Sequence, residues 1–168
     1  DITDVANRDQ GYILSKFSNI SSTGVTGPNS TFVDTDFPLF RLADAYLMYA
    51  ECAVRGAGNA SASTALGYVN ALRERANNGS SSANINSSDM TLDFILDERA
   101  REFVGEQLRW FDLKRMLGAN NGQAFVDFIK AQNPDITLVQ PFHRLRPIRQ
   151  EELNALLNAE EFGQNPGY

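Results

Sequence analysis

The amino-acid sequence predicts a mainly α-helical protein, and three observations carry that expectation. From Phe40 onward, apolar residues recur at the spacing of one helix face rather than in the strict alternation of a strand. Polar stretches rich in Gly, Asn and Ser, RGAGNA and NNGSSSANINSSD, separate the periodic segments. Residues that start and stop helices sit at their edges: Thr91 before one segment, Gly118 and Pro134 after two others.

At 168 residues the chain has room for a single domain with its own core. Residues 1–37 form a loop-rich, extended segment, and residues 38–168 form the helical core and C-terminal tail. Within the first segment, GYILSKF has strand-like composition and SNISSTGVTGPNSTFVDTD reads as a loop. A few short strands are compatible with this part of the chain. A structureless run of this length is unusual inside a compact domain, so it is expected to wrap against further parts of a larger protein.

The first helix carries a stripe of Leu42, Ala43, Tyr46, Leu47, Ala50, Ala53 and Val54, about four turns long. RGAGNA stops it. A second helix at about 62–77 buries Ala65, Leu66, Val69, Leu72 and Ala76, and the two form a helical hairpin. The unit is close to the roughly 34 residues of a tetratricopeptide repeat, without a clear second copy. After the polar loop 77–89, a third helix capped by Thr91 buries Leu92, Ile95, Leu96, Phe103 and Val104. Gly105 interrupts it, and shorter helices follow at about 107–117, 122–132 and 150–158.

The charge balance excludes one class of function. A formal net charge of −6, with basic residues scattered beside acids, does not suit a nucleic-acid surface. The lone cysteine, Cys52, permits no internal disulfide, and its setting in AECAV reads as a buried core position. His143 is the only histidine, so no Glu-x-x-His metal motif exists, and a Cys–His catalytic pair carries little weight. No apolar run approaches the ~20 residues that cross a bilayer. Five Asn-x-Ser/Thr triplets, at Asn19, Asn29, Asn59, Asn78 and Asn86, lie in Asn/Ser-rich loops where composition alone produces them.

Residues 98–115, ERAREFVGEQLRWFDLKR, raise the main functional question. Glu98 and Glu102 share a helix face, as do Glu102 and Glu106, and paired carboxylates are what a glycoside hydrolase uses. The other reading is a buried ion-pair lattice. Arg99–Glu102 and Glu98–Arg101 are opposite charges at i, i+3, and Arg109, Asp112 and Arg115 continue the alternation. Arg41, Asp44 and Glu51 on the first helix are then the cross-helix partners, with Trp110 and Phe111 as core packing. Charge runs on helices usually serve structure, which favours the lattice.

Several stretches together resemble the SusD/RagB family: FPLFRLADAYLMYAECAVR, ALGYVNALRERAN, ILDERAREFVGEQLRWFDLKRMLG, LRPI with EEL, and the terminal QNPGY. The block E-R-x-x-E…R-W-F-D-L-x-R with terminal Q-N-P-G-Y is the specific part, and the resemblance spans roughly residues 11–168. It departs at Pro147-Ile148-Arg149, where the family commonly has Pro-Ile-Pro; the change is expected to loosen a turn without altering the fold.

The resemblance implies a C-terminal portion of such a protein. A signal peptide, a lipid-anchored cysteine and most of the tetratricopeptide helices would precede Asp1. It implies a glycan-binding lipoprotein on the outward face of an outer membrane, acting with a SusC-type TonB-dependent transporter. No enzymatic activity and no cofactor or metal follow from it. Glu98, Arg99, Glu102, Arg109, Trp110 and Asp112 match the family motif, which the resemblance places in the scaffold. No family sugar-binding residue maps onto the chain. Tyr12, Phe17 and Phe32, in the loop-rich segment, are candidate ligand-binding aromatics, with burial as the competing reading. A helical module that docks the transporter without its own glycan site is the alternative function, and a hydrolase using Glu98 and Glu102 the third.

Overall fold

The computed structural model describes residues 15–21, 23–29, 32, 33, 36 and 38–168. Among these described residues seven α-helices follow one another: α1 (Leu42–Val54), α2 (Ala62–Ala76), α3 (Leu92–Glu102), α4 (Arg109–Leu117), α5 (Gln123–Gln132), α6 (Gln150–Ala155) and α7 (Ala159–Phe162). Short 3-10 turns link several of them, and among the described residues no strand forms beyond one antiparallel bridge between Ile20 and Thr26. The mainly α expectation therefore holds. The strand-like GYILSKF does not become a strand where it is described, because Ser15–Phe17 wind into a 3-10 turn.

The predicted hairpin is formed by α1 and α2. Ala43, Leu47 and Ala50 on one side meet Ala65, Val69 and Leu72 on the other, all buried. Small residues at this seam let the helices approach closely, and the larger rings close its edge. Tyr46 stacks on Tyr68 with ring centroids 4.2 Å apart, and Tyr49 meets Tyr68 edge-on at 5.3 Å. Ser61 caps α2 by accepting from the Thr64 N–H, while its own N–H donates to the Tyr49 hydroxyl at 2.9 Å.

α3 joins two cores. Ile95 and Phe103 pack into the hairpin core, whereas Leu96 packs with Leu113, Phe125 and Val126. Neighbouring helical positions point about 100° apart, so one helix serves both sides. Its cap is the predicted one, since the Thr91 hydroxyl accepts from the Phe94 N–H at 3.1 Å. Gly105, at φ +80°, then turns the chain sharply into α4. The polar loop 77–89 is fastened rather than loose. The Asn70 amide donates to the Ile85 carbonyl and accepts from its N–H, and Arg73 donates to the Ala83 carbonyl.

Several expected core positions are exposed. Cys52 faces solvent because Ala50 and Glu51 take the inward directions of that turn. Leu42 begins α1 outside the seam, and Val104 lies beyond the end of α3, where helical periodicity no longer governs direction. Phe111 is 65% exposed, since it stands nearly opposite Leu113 around α4. The expected helix at 150–158 stops at Ala155, where Leu156 adopts an extended ψ of 137°, and α7 begins separately at Ala159.

Candidate functional site

The charged segment forms a lattice that ties α1, α2, α3 and α4 together. Arg99, 5% exposed, donates Nη1 to Asp44 at 2.7 Å and Nε to Asp112 at 2.8 Å, so a single guanidinium bridges three helices. Arg41, just before α1, forks onto Glu106 through Nε and Nη2 and reaches Glu102 with Nη1. Glu102 also accepts from Arg75, and Glu98 from both Arg73 and Arg101. Glu51 accepts from Arg55 and Arg115, and Arg115 reaches on to Asp112. Arg41, Asp44 and Glu51 are thus the cross-helix partners the sequence suggested. One ring completes the packing, with the Arg41 and Arg99 guanidiniums 4.7 and 4.9 Å from the Phe103 ring centre.

Electrostatics follow from this pairing. Burial alone would push the Glu51 carboxyl up, but hydrogen bonds from Arg115 and Arg55 outweigh it and hold the group below the usual carboxylate value. Burial likewise opposes ionisation of Glu106, and Arg41 and Lys16 reverse the balance. The expected Arg99–Glu102 pair is not made, because Arg99 turns toward Asp44 and Asp112 instead.

On the outer side of α4 lies a cleft of about 730 Å3, within the usual size range of small-ligand sites. Trp110 and Phe111 supply its aromatic surface, and Gln107 and Asn165 line it with amides. Its charged walls are Arg109, Lys114, Arg144 and Arg146, and no acid among the described residues lines it. The half-buried Trp110 ring meets Phe125 edge-on at 5.4 Å, while the Arg146 guanidinium lies 5.5 Å from its centre. Arg109 is partly engaged, donating to the Leu96 carbonyl at 2.8 Å with Asp97 at 4.0 Å.

The C-terminal tail builds the far wall. The Gln164 side chain accepts from the Ile148 N–H at 2.7 Å and donates to the Ile148 carbonyl at 2.8 Å, as a strand partner would. Asn165 donates to the Arg146 carbonyl and the Tyr168 hydroxyl to the Leu145 carbonyl. Gly167, at φ +100°, lies so close to Phe142 that a Cβ would sit 2.4 Å from the ring. The tail thereby fixes the segment that presents Arg146 over Trp110. His143, the lone histidine, accepts the Gln140 N–H on Nδ1 at 2.8 Å and so caps a turn.

Comparison with known proteins places this arrangement. The family model described as SusD family matches residues 3–168. This chain belongs to the SusD family. It is similar to the starch-binding protein SusD of Bacteroides thetaiotaomicron, 34% identical over 158 residues, covering 94% of this chain and 26% of that protein. A SusD-like protein of Formosa agariphila is 32% identical over 151 residues, covering 86% of the chain and 28% of its own length. A SusD-like protein of Bacteroides ovatus is 40% identical over 76 residues, 45% of this chain and 13% of that protein. The chain therefore spans about a quarter of the length of the first two relatives. No solved structure matches it.

Within this SusD-family chain the candidate aromatics are scattered. Tyr12 lies outside the described residues. Phe17 is half-buried in its 3-10 turn, and Phe32 is 72% exposed; neither lines the cleft beside α4. Glu98, Arg99, Glu102 and Asp112 all enter the ion-pair lattice, whereas Arg109 and Trp110 line the cleft. The cleft's remaining residues were not singled out from sequence, because 107–114 and 144–165 meet only through the folded tail. Among the described residues no group of three His, Cys, Asp or Glu side chains could hold a metal ion. No helix among them is long and apolar enough to cross a membrane.

Proposed function

We propose that this chain is part of a cell-surface glycan-binding protein, which captures oligosaccharide and passes it to a SusC-type TonB-dependent transporter. Lipid anchoring at the outward face of an outer membrane belongs to the same reading, through a cysteine in sequence preceding this chain. The observation that carries it is the family match across residues 3–168, joined by similarity to a relative named for starch binding. Residues 1–168 act as one C-terminal domain of that larger protein.

Glu98, Arg99, Glu102 and Asp112 serve as scaffold in this reading, along with the backbone-anchored Arg109 and the Trp110 ring against Phe125. A glycosidase needs one carboxylic acid free to donate its proton to a leaving oxygen. Glu98 and Glu102 border a pocket of about 270 Å3, yet each carboxylate accepts from two arginines. That arrangement favours structural over proton-transfer work. A second reading, a module that only docks the transporter, draws support from the exposed Leu39, Phe40 and Leu42 ahead of and at the start of α1.

Affinity electrophoresis of the full-length protein against a panel of polysaccharides separates the two. Retardation by at least one glycan is the expected result. Mobility unchanged by every glycan, with binding only to the transporter, would replace the first reading by the second.

A further inference from the structure

The cleft beside α4 departs from the rest of the molecule in the sign of its charge. The chain carries a formal net charge of −6, yet among the described residues four cations and no acid line this one site. Among the described residues the other arginines pair with carboxylates, all within the lattice except the surface pair Arg149–Glu151. Here Lys114, Arg144 and Arg146 have no acidic partner among the described residues. Arg144 goes further, since its Nε is buried without any hydrogen-bond partner among them. A buried donor left unmade costs free energy, so Arg144 is held at the cleft with bonding capacity the fold does not use.

We propose that this cleft binds an anionic saccharide, one bearing carboxylate or sulfate-ester groups, a substrate class that rests on the glycan-binding reading above. The guanidinium fork matches the planar carboxylate and the oxygens of a sulfate, and Lys114 adds a mobile point charge at the rim. Phe111 and the half-buried Trp110 offer apolar surface for the C–H face of a pyranose ring. Gln107 and Asn165 are placed to bond ring hydroxyls, each with donor and acceptor. A neutral glucan would leave the clustered cations unneutralised, so the site discriminates by charge as well as shape. Pairing rather than distance keeps the two functions separable: reversing Lys114 removes no ion pair seen among the described residues.

The test is affinity electrophoresis of the full-length protein in gels containing polygalacturonate, a sulfated galactan or a neutral glucan. Retardation in an acidic gel is expected, weakened by added salt, and the two acidic polymers tell carboxylate from sulfate recognition. Lys114→Glu with Arg146→Glu should weaken that binding by about tenfold or more while the thermal unfolding profile stays in place. The gentler Lys114→Gln should weaken it by about threefold, which keeps the test alive if the double variant folds poorly. Retardation by the neutral glucan alone, or acidic binding untouched by charge reversal, overturns the proposal and leaves the glycan reading standing. Retardation by none of the three, nor by any wider panel, overturns both.

Discussion

Two faces of α4 handle charge in opposite ways. On the inner face Asp112 meets Arg99 and Arg115, and Arg115 continues to Glu51 on α1. On the outer face Lys114 stands with Arg144 and Arg146 around an open cleft and meets no acid among the described residues. The residue types are alike and only a fraction of a helical turn separates them. What differs is whether each charge has spent its hydrogen-bonding capacity inside the fold. Paired charges hold helices in place; unpaired ones remain able to answer a ligand.

The largest expected effect breaks the inner face. Arg99→Gln removes the bridge between Asp44 and Asp112, leaving Asp44 without its cation and the buried Asp112 with only the 3.3 Å contact to Arg115, at a cost of about 3–5 kcal/mol. Chemical denaturation of the full-length protein reads this directly. Arg99→Lys should recover little, because one ammonium cannot span two carboxylates as the fork does.

Acid should sharpen the same contrast. Glu51 and Glu106 titrate below the ordinary value of 4.5 in the folded protein, so the unfolded chain takes up protons first as pH falls. The stability these groups contribute is present above that value and is lost as pH drops through their folded values. Melting temperature should be level from neutral pH down to about 5 and then decline. Glu51→Gln should make that decline shallower while lowering the neutral-pH plateau.

The tail supplies a smaller effect that links the two faces. Gly167→Ala places a methyl against the Phe142 ring at a backbone angle that L residues rarely adopt. It should cost about 1–3 kcal/mol and also weaken acidic-glycan retardation, since Arg146 would lose its fixed position over Trp110. Unchanged retardation would detach the tail from the cleft. The smallest effect is a gain. Arg149 already holds φ −61°, the angle a proline ring imposes, so Arg149→Pro should add about 0.4–1 kcal/mol.

Much of the helical body was legible because periodicity and caps act locally. The α1–α2 hairpin, the Thr91 cap and the break at Gly105 all follow from residues within a few positions of one another. The lattice partners Arg41, Asp44 and Glu51 were legible too, since opposite charges on facing helices have few other destinations. Which arginine meets which acid was not, as the fate of Arg99 shows: pairing depends on helix rotation, which no local pattern fixes. Phe111 and Cys52 misled for a related reason, because an apolar residue in a mixed helix need not face the core. The cleft was invisible in sequence. Arg144, Arg146 and Asn165 reach Trp110 only after Gln164 and Tyr168 have folded the tail back, a contact some thirty to sixty residues away along the chain.

The most direct test of the division between paired and unpaired charge is the urea unfolding midpoint of two variants of the full-length protein, compared with the parent. Arg99→Gln should lower the midpoint by about 1–3 M, whereas Lys114→Glu with Arg146→Glu should hold it within about 0.5 M. Equal losses in both variants would contradict the account, because the outer cations would then be scaffold as well.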